Sequence, residues 1–474
     1  MESDSLVLAG SKWEIERVDF DRELPHLLSL IEKCDFIAID FEFSGVGNSP
    51  SRGQVGVNHK PTLAERYKEL CGAAKTYSIM QMGICPVKWL PNAPREPRYS
   101  SRPCNFFVAP HVERKLFKYD RACLFSASAI DFHLKNGFDF NRLYSRGCLY
   151  LGHQEEAHIR RLKRQRDEAD ATEIEPKEED VPMLEEVRVQ IAAWIKGLED
   201  NPFDFLNIQR PEGYNGYQRR IIIQFIRREF PGYIGVWYEQ HVQVQPLNEE
   251  RERKVIQKKE DDFERALKLQ RGVRYLIDKI MELKKPLIGH NLFTDLVYMH
   301  YMFIGDLPED INDFRRFLQQ NFGLIVDTKF LAIHWGEPNQ SPASTSLTEL
   351  GYKLSNVIYP HIEDFPVNAE QYHVAGYDAW STARCFVKLS ALLYFAGSRN
   401  PAPPAETDPC LDARKEEIVA ALATRPPRAG YGKLVDIELE DKKKLRIPHR
   451  SSNFWKVFGG RLCVNGTVEG EFTL

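Results

Sequence analysis

The sequence predicts an α/β fold, a mixed central sheet flanked by helices, with a smaller α/β block inserted into it. Three observations carry this. The run Phe36-Ile37-Ala38-Ile39-Asp40-Phe41-Glu42-Phe43-Ser44-Gly45 is short, apolar and closed by Gly, the pattern of a buried strand. Further strand-like runs at 77–85, 105–108, 285–289 and 323–326 alternate with stretches of helical spacing. Between His153 and Glu186 the composition turns sharply to charge, and Glu249 to Glu260 reads as a second charged connector. Together they bracket a block that interrupts the surrounding pattern.

Along the chain, Trp13-Glu14-Ile15 reads as a brief strand and 21–33 as a helix, with Leu24, Leu27, Leu28, Leu30 and Ile31 on one side. The central strand follows, and then Gly45 to Pro61, a loop by its Gly, Ser, Asn and Pro. A short helix over 62–70 leads to Tyr77–Cys85 and Asn105–Val108, two strands that form a meander with the first. Ser126–Asn136 reads as amphipathic through Ile130, Phe132 and Leu134. The expected order is the first half of a host fold over 1–154, the insert over 155–255, the second half of the host over 256–398, and a C-terminal linker and further segment over 399–474. Pro401–Pro404 and Arg425–Gly430 mark that linker.

With 474 residues, 43% hydrophobic and 28% charged, the chain has room for two or three cored domains. The net charge of -4 provides no global attraction to nucleic acid, so any such contact rests on local patches or bound cations. Nine scattered cysteines without CxxC pairs fit reduced thiols. No basic-then-apolar leader opens the chain, and no apolar run reaches the ~20 residues of a membrane span. The expectation is a cytoplasmic and/or nuclear protein without a membrane segment.

The chemistry-bearing residues sit at strand ends. Asp40 and Glu42 are two apart on a strand and aim at one spot. Two desolvated carboxylates repel, and a divalent metal with oxygen ligands resolves the conflict. A solvent-exposed strand end is the bland alternative for this pair alone. Later, Leu287-Ile288-Gly289-His290-Asn291 runs into a helix with Asp295 in its first turn, where a carboxylate gains from the helix dipole. Then comes His373-Val374-Ala375-Gly376-Tyr377-Asp378, whose His and Asp face one cleft if a turn intervenes.

In this order, Asp-x-Glu, Gly-His-Asn-x-x-x-Asp and His-x-x-Gly-Tyr-Asp resemble the DEDD superfamily of 3′-to-5′ exonucleases, in the branch with a histidine five residues before the last aspartate. Within it, Phe36–Gly45, Glu65-Arg66-Tyr67, Ser128–Phe132 with Gly137–Asn141, Asp327-Thr328-Lys329 and His373–Asp378 resemble the deadenylase branch, the poly(A)-specific ribonuclease family, over about residues 12–395. The resemblance implies a ribonuclease H-like fold and a Mg²⁺-dependent enzyme with two ions, Mn²⁺ as a substitute. It implies hydrolysis of single-stranded RNA from its 3′ end, with poly(A) preferred and 5′-AMP released in mRNA turnover. It also implies a homodimer, with 1–154 and 256–398 as the two halves of the nuclease domain and a candidate partial RNA-recognition-like segment within 399–474.

By the same resemblance Asp40, Glu42, Asp295 and Asp378 ligate metal. Asp40 bridges the ions, and His373 takes a proton from the attacking water, a task suited to its near-neutral intrinsic pKa. Phe43, Ser128, Phe132, His290, Asn291 and Lys329 fall in segments around the RNA 3′ end, with Phe41 and Phe293 beside them. For Phe43 and Phe132 a core role is equally open. The insert resembles a small single-stranded nucleic-acid-binding module of the Arg-x-x-x-His type. Here, however, Ile223 follows Arg219 and Gln224 follows Arg220 at that spacing. Trimming of small non-coding RNAs, or an inactive RNA-binding relative, are the alternatives.

Overall fold

The structure is a computed structural model and describes residues 13–47, 60–90, 99–197, 205–210, 213–238, 241–335, 345–355, 357, 360–365, 371–397 and 446–474. Most of the Gly45–Pro61 loop and both expected linker markers, Pro401–Pro404 and Arg425–Gly430, lie outside them. The chain forms two compact units. One comprises Met1–Val112, Asp120–Glu156 and Leu269–Leu474, and the other Glu113–Tyr119 and Ala157–Lys268.

In the first unit, β1 (Phe36–Phe43) pairs antiparallel with β2 (Ile79–Trp89), which in turn pairs with β3 (Tyr99–Ser101) and β4 (Cys104–Phe107). Trp13–Ile15 contributes one bridge, Glu14 to Asn105. Apart from Asp40 and Glu42, β1 is apolar because both sheet faces are covered. Ile37, Ile39 and Phe41 join a core with Phe20, Leu27, Leu30 and Ile31 of the helix Arg17–Lys33. Phe36 and Ala38 join a second core, with Ala379, Ala383 and Phe386. Asp40 and Glu42 continue the face of that second core. The helix Leu63–Thr76 starts at a capping box, Thr62 with Glu65.

The second unit holds a three-stranded antiparallel sheet, β5 (Leu206–Ile208), β7 (His241–Pro246) and β6 (Tyr233–Tyr238), in the order β5-β7-β6. Its core joins Val187 and Ile191 of the helix Val181–Lys196 to Ile221, Ile222, Phe225 and Ile226 of the helix Gly216–Glu229. Arg219 donates to the Tyr214 carbonyl and lies 4.0 Å over the Trp237 ring, while Gln224 bonds the backbone of Thr172 and Ile174. Glu249–Glu260, expected as a connector, is the first half of the helix Glu249–Arg271. Its Glu, Lys and Arg are good helix formers and pair at helical spacing, as in Lys254 with Glu250. That helix ends at Gly272, where a Cβ would lie 1.8 Å from the Leu149 carbonyl oxygen.

The chain re-enters the large sheet as β8 (Leu287–Gly289), parallel to β1, and β9 (Ile325–Asp327), parallel to β8. The resulting sheet is mixed, with the main order β3-β2-β1-β8-β9. The long helix Ala375–Gly397 covers the β1 face that carries the acidic pair. The segment after Arg446, read above as a partial RNA-recognition sheet, belongs to the first unit. Its strands β10 (Arg461–Cys463) and β11 (Glu471–Thr473) form a hairpin. Gly460 donates to the Ile325 carbonyl and Cys463 to the Asp327 carboxylate, while Phe472 is fully buried against Phe293 and Phe314. Among the described residues no helix is long and apolar enough to cross a membrane.

Candidate active site

The site is built from three backbone turns that deliver carboxylates to one end of β1. Glu42 lies opposite Gln81 and Asp40 opposite Gly83 in the register with β2, and the register shifts between Glu42 and Phe43. This bulge redirects the strand as it leaves the acidic pair. Asp295 stands in the first turn of the helix Phe293–Met299, and its carboxylate accepts the N–H of Phe41, the residue between Asp40 and Glu42.

Asp378 stands in the first turn of the helix Ala375–Gly397. Its Oδ2 accepts the His373 N–H at 2.9 Å, and its Oδ1 is buried without a hydrogen-bond partner. The start of that helix is docked on the sheet by side chains. Ala375 N–H donates to Gln81 Oε1 at 2.9 Å and Gly376 N–H to Asn105 Oδ1 at 3.0 Å, both acceptors being buried. Gly83 makes the approach possible, since a Cβ there would lie 1.8 Å from the Ala375 carbonyl oxygen.

The electrostatics are those of a cation site. Burial, then the charges of Asp378, Asp295 and Glu42, push Asp40 well above the carboxylate range. Glu42 is raised likewise by burial, Asp378 and Asp295. Burial lifts Asp295 to about 8 against the N–H groups it accepts, and lifts Asp378 to about 7. The charges bearing most on Asp40 are all of its own sign, so a bound cation is the partner this set lacks. Glu42, His373 and Asp378 offer ligand atoms within 4.8 Å of one another. The oxygen ligands of the four carboxylates suit Mg²⁺ or Mn²⁺, and the orphaned Oδ1 of Asp378 is the atom that such an ion would satisfy.

His373 adopts φ +68°, which turns the chain between Tyr372 and the helix and lets its N–H reach back to Asp378. Burial lowers its pKa, leaving the ring neutral and able to accept a proton at neutral pH. The ring meets Phe132 edge-on at 4.8 Å.

Phe43, Ser128 and Phe132 come together with Glu42 in the wall of a cavity of about 250 Å³, completed by Gly45, Tyr77 and His133 among others. Phe43 lines this cavity and packs on Tyr298 at 4.5 Å. In the helix Ala127–Lys135, two of the three residues read as its apolar face are exposed, Phe132 at 41% and Leu134 at 59%, while Ile130 is half-buried. The buried one is His133, whose Nε2 reaches the Phe43 carbonyl of β1.

His290, Asn291 and Lys329 gather instead around Asp327, a fully buried carboxylate outside the lining of that cavity. Asp327 accepts N–H groups from Asn291, Leu292, Lys329 and Cys463. Asn291 takes φ +60° to do this, and its Oδ1 accepts from Asn465. His290 Nδ1 lies 3.0 Å from Thr328 Oγ1, and burial with the Lys329 charge pushes the ring down to about 3.

Sequence reasoning missed Gln81, Gly83, Asn105 and His133. A Gly and a Gln inside an apolar strand are signals of close approach and of a buried polar partner, and could have drawn attention to β2.

A ribonuclease H-like α/β sheet with a four-carboxylate cleft at the end of its central strand defines the class: an acidic, metal-site nuclease architecture. The family model for the CAF1 family ribonuclease matches residues 15–386, and the chain belongs to that family. Among relatives, it is 27% identical to Poly(A)-specific ribonuclease PARN of Xenopus laevis over 80% of this chain and 63% of the relative. It is 28% identical to the Homo sapiens protein of that name, over 80% and 62%. With Poly(A)-specific ribonuclease PNLDC1 of Mus musculus it shares 24% over 79% and 70%. The chain thus spans about three fifths of the length of the first of these relatives. A solved structure of S. pombe Pop2p, in its Mg²⁺- and Mn²⁺-bound form, overlaps 82% of this chain and 92% of that one, with a TM-score of 0.36 and 14% identity.

Proposed function

We propose that this chain is a divalent-metal-dependent 3′-to-5′ exoribonuclease that shortens poly(A) tails of mRNA and releases 5′-AMP. The observation that carries the reading is the convergence of Asp40, Glu42, Asp295 and Asp378, with Asp378 Oδ1 buried and unpartnered. Asp40, Glu42 and Asp378 would hold a first Mg²⁺, and Asp40 with Asp295 a second. Bound ions supply charge neutralisation at the phosphate and a more acidic water. His373, neutral and beside Glu42 and Asp378, takes the proton of the attacking water.

The cavity beside Glu42 receives the 3′-terminal nucleotide. Phe132 and Phe43 offer faces or edges to its base, and Ser128 offers a hydroxyl. His290, Asn291 and Lys329 act further along the strand, with the Lys329 ammonium available to a phosphate. The poly(A)-specific names of the similar relatives support adenine as the preferred base. Pairing into a homodimer and residence in nucleus and cytoplasm complete the reading, the first checked by sedimentation and the second by fractionation.

The test is timed digestion of 5′-labelled single-stranded RNA with an all-adenine or a mixed tail, in Mg²⁺ or EDTA. Stepwise Mg²⁺-dependent shortening that stalls at the first non-adenine is expected. Shortening of both tails would make the enzyme a general 3′-end trimmer. Absence of shortening with RNA still bound would overturn the reading in favour of an RNA-binding relative.

A further inference from the structure

The helix Ala127–Lys135 brings one buried histidine against the acidic end of β1, and the mechanism above leaves it without a task. His133 is 2% exposed, enclosed by Phe132, Phe138 and Phe140. Its Nε2 lies 2.9 Å from the Phe43 carbonyl oxygen. A carbonyl only accepts, so Nε2 carries a proton, which leaves Nδ1 as the ring's other polar atom. That Nδ1 is buried, has no hydrogen-bond partner, and lies 3.9 Å from Glu42 Oε2.

The carbonyl taken by Nε2 belongs to the residue at which the β1 register shifts, immediately after Glu42. A bulge is where a strand re-aims a side chain, and it holds its shape only if its displaced backbone groups find partners. The ring also closes one side of Glu42. At 3.9 Å from Glu42 Oε2 the ring stands against the carboxylate without hydrogen-bonding it, while Glu42 also offers a ligand atom within 4.8 Å of those of Asp378 and His373.

We infer that His133 is a positioning residue for Glu42: its Nε2–H fixes the Phe43 carbonyl at the bulge, and its ring walls the carboxylate into the metal-binding direction. This rests on the function proposed above. The helix thereby serves both halves of the site, since the neighbouring Phe132 abuts the His373 ring.

Three variants separate the parts. His133→Gln keeps an N–H donor near the Nε2 position; His133→Leu and His133→Phe keep apolar bulk and lose it. The full chain is titrated with Mg²⁺ alone by calorimetry and thermal shift, and kcat and KM are measured on oligoadenylate. Outer-sphere supports of metal ligands are typically worth about 10–100-fold in affinity or activity. His133→Leu is therefore expected to weaken Mg²⁺ by about tenfold or more and to lower kcat with KM little changed. His133→Gln should recover most of both.

Wild-type Mg²⁺ affinity and kcat in folded His133→Leu or His133→Phe would overturn the inference. So would a His133→Gln variant that keeps wild-type melting yet binds Mg²⁺ as poorly as a Leu or Phe variant. If the apolar variants do not fold, His133→Gln decides alone. A wild-type chain that neither binds Mg²⁺ nor cleaves would instead refute the function proposed above.

Discussion

Replacing Gly83 with Ala adds one methyl at the closest approach of sheet and helix. The new Cβ would lie 1.8 Å from the Ala375 carbonyl oxygen, 2.1 Å from its carbon and 2.6 Å from Gly376 N, whereas ordinary contact begins near 3.4 Å. All three atoms are backbone, so no side-chain rotation relieves the clash, and the helix start must retreat by more than about 1 Å, a general result of overpacking a close backbone contact. Retreat stretches the two bonds that dock this turn, Ala375 N–H to Gln81 and Gly376 N–H to Asn105. A buried donor left unsatisfied costs about 1–3 kcal/mol, and overpacking itself about 1–3 kcal/mol. The expected loss is on the order of 3–5 kcal/mol, read from the urea midpoint.

The same movement carries Asp378 away from Glu42, and misplacement by about 1 Å is worth roughly 10²-fold in rate. Hydrolysis of 5′-labelled oligoadenylate at saturating Mg²⁺ should fall by about that factor. Gly72→Ala serves as the control, since it lies inside the helix Leu63–Thr76 with nothing within 4 Å of the added Cβ. It should leave the rate unchanged and stabilise by up to about 1 kcal/mol. A Gly83→Ala enzyme with wild-type midpoint and rate would refute the docking argument.

The remaining predictions concern charge and packing. Asp295 at about 8 and Asp378 at about 7 bind protons more tightly folded than unfolded, so metal-free stability declines as pH rises from the ordinary carboxylate range near 4 through 8. Mg²⁺ removes that penalty, so the Mg²⁺-induced rise in Tm should be larger at pH 8.5 than at pH 5.5, with protons released on binding; equal shifts would contradict the assignment. Asp40→Asn should reduce hydrolysis to background while raising the metal-free Tm at pH 8, because one member of a like-charged buried set is gone. Phe472→Ala should cost about 3–5 kcal/mol by urea melt, because its fully buried ring packs on Phe293 and Phe314 within the first unit.

The fold and the acidic set were legible because their signals are local. An apolar strand ending in Asp-x-Glu, and carboxylates in the first turns of helices after strand ends, follow from periodicity two and from capping. What was illegible depends on contacts across long separations. Gln81 and Asn105 look like polar interruptions of strands until the start of a helix nearly 300 residues away is seen to need their oxygens. His133 hid in a segment where two of the three residues read as the apolar face, Phe132 and Leu134, turned out to be exposed. Helical periodicity reports where a core is, but Phe132 faces a cavity and His373 rather than a core. The charged stretch at Glu249–Glu260 misled for the opposite reason: polarity all round signals a linker, yet a helix of good formers with paired charges needs little burial to persist.

The site pays for its geometry in electrostatic free energy, and the placement of the neighbouring N–H groups shows how far the fold goes to offset it. Asp295 receives the Phe41 N–H and Asp378 the His373 N–H, so these two carboxylates are tied by backbone donors. Those donors oppose burial without overcoming it, since both groups remain near or above neutrality in their pKa. Had the fold needed only stability, an Arg or Lys opposite Asp40 would have served; instead the groups acting on Asp40 are acidic. A cluster so arranged is stable in its charged form only with a cation present, which couples metal binding to the rigidity of β1 and of the Ala375 helix start. Gly83, Gln81 and Asn105 hold that helix against the sheet, and through it hold Asp378 where the coupling needs it.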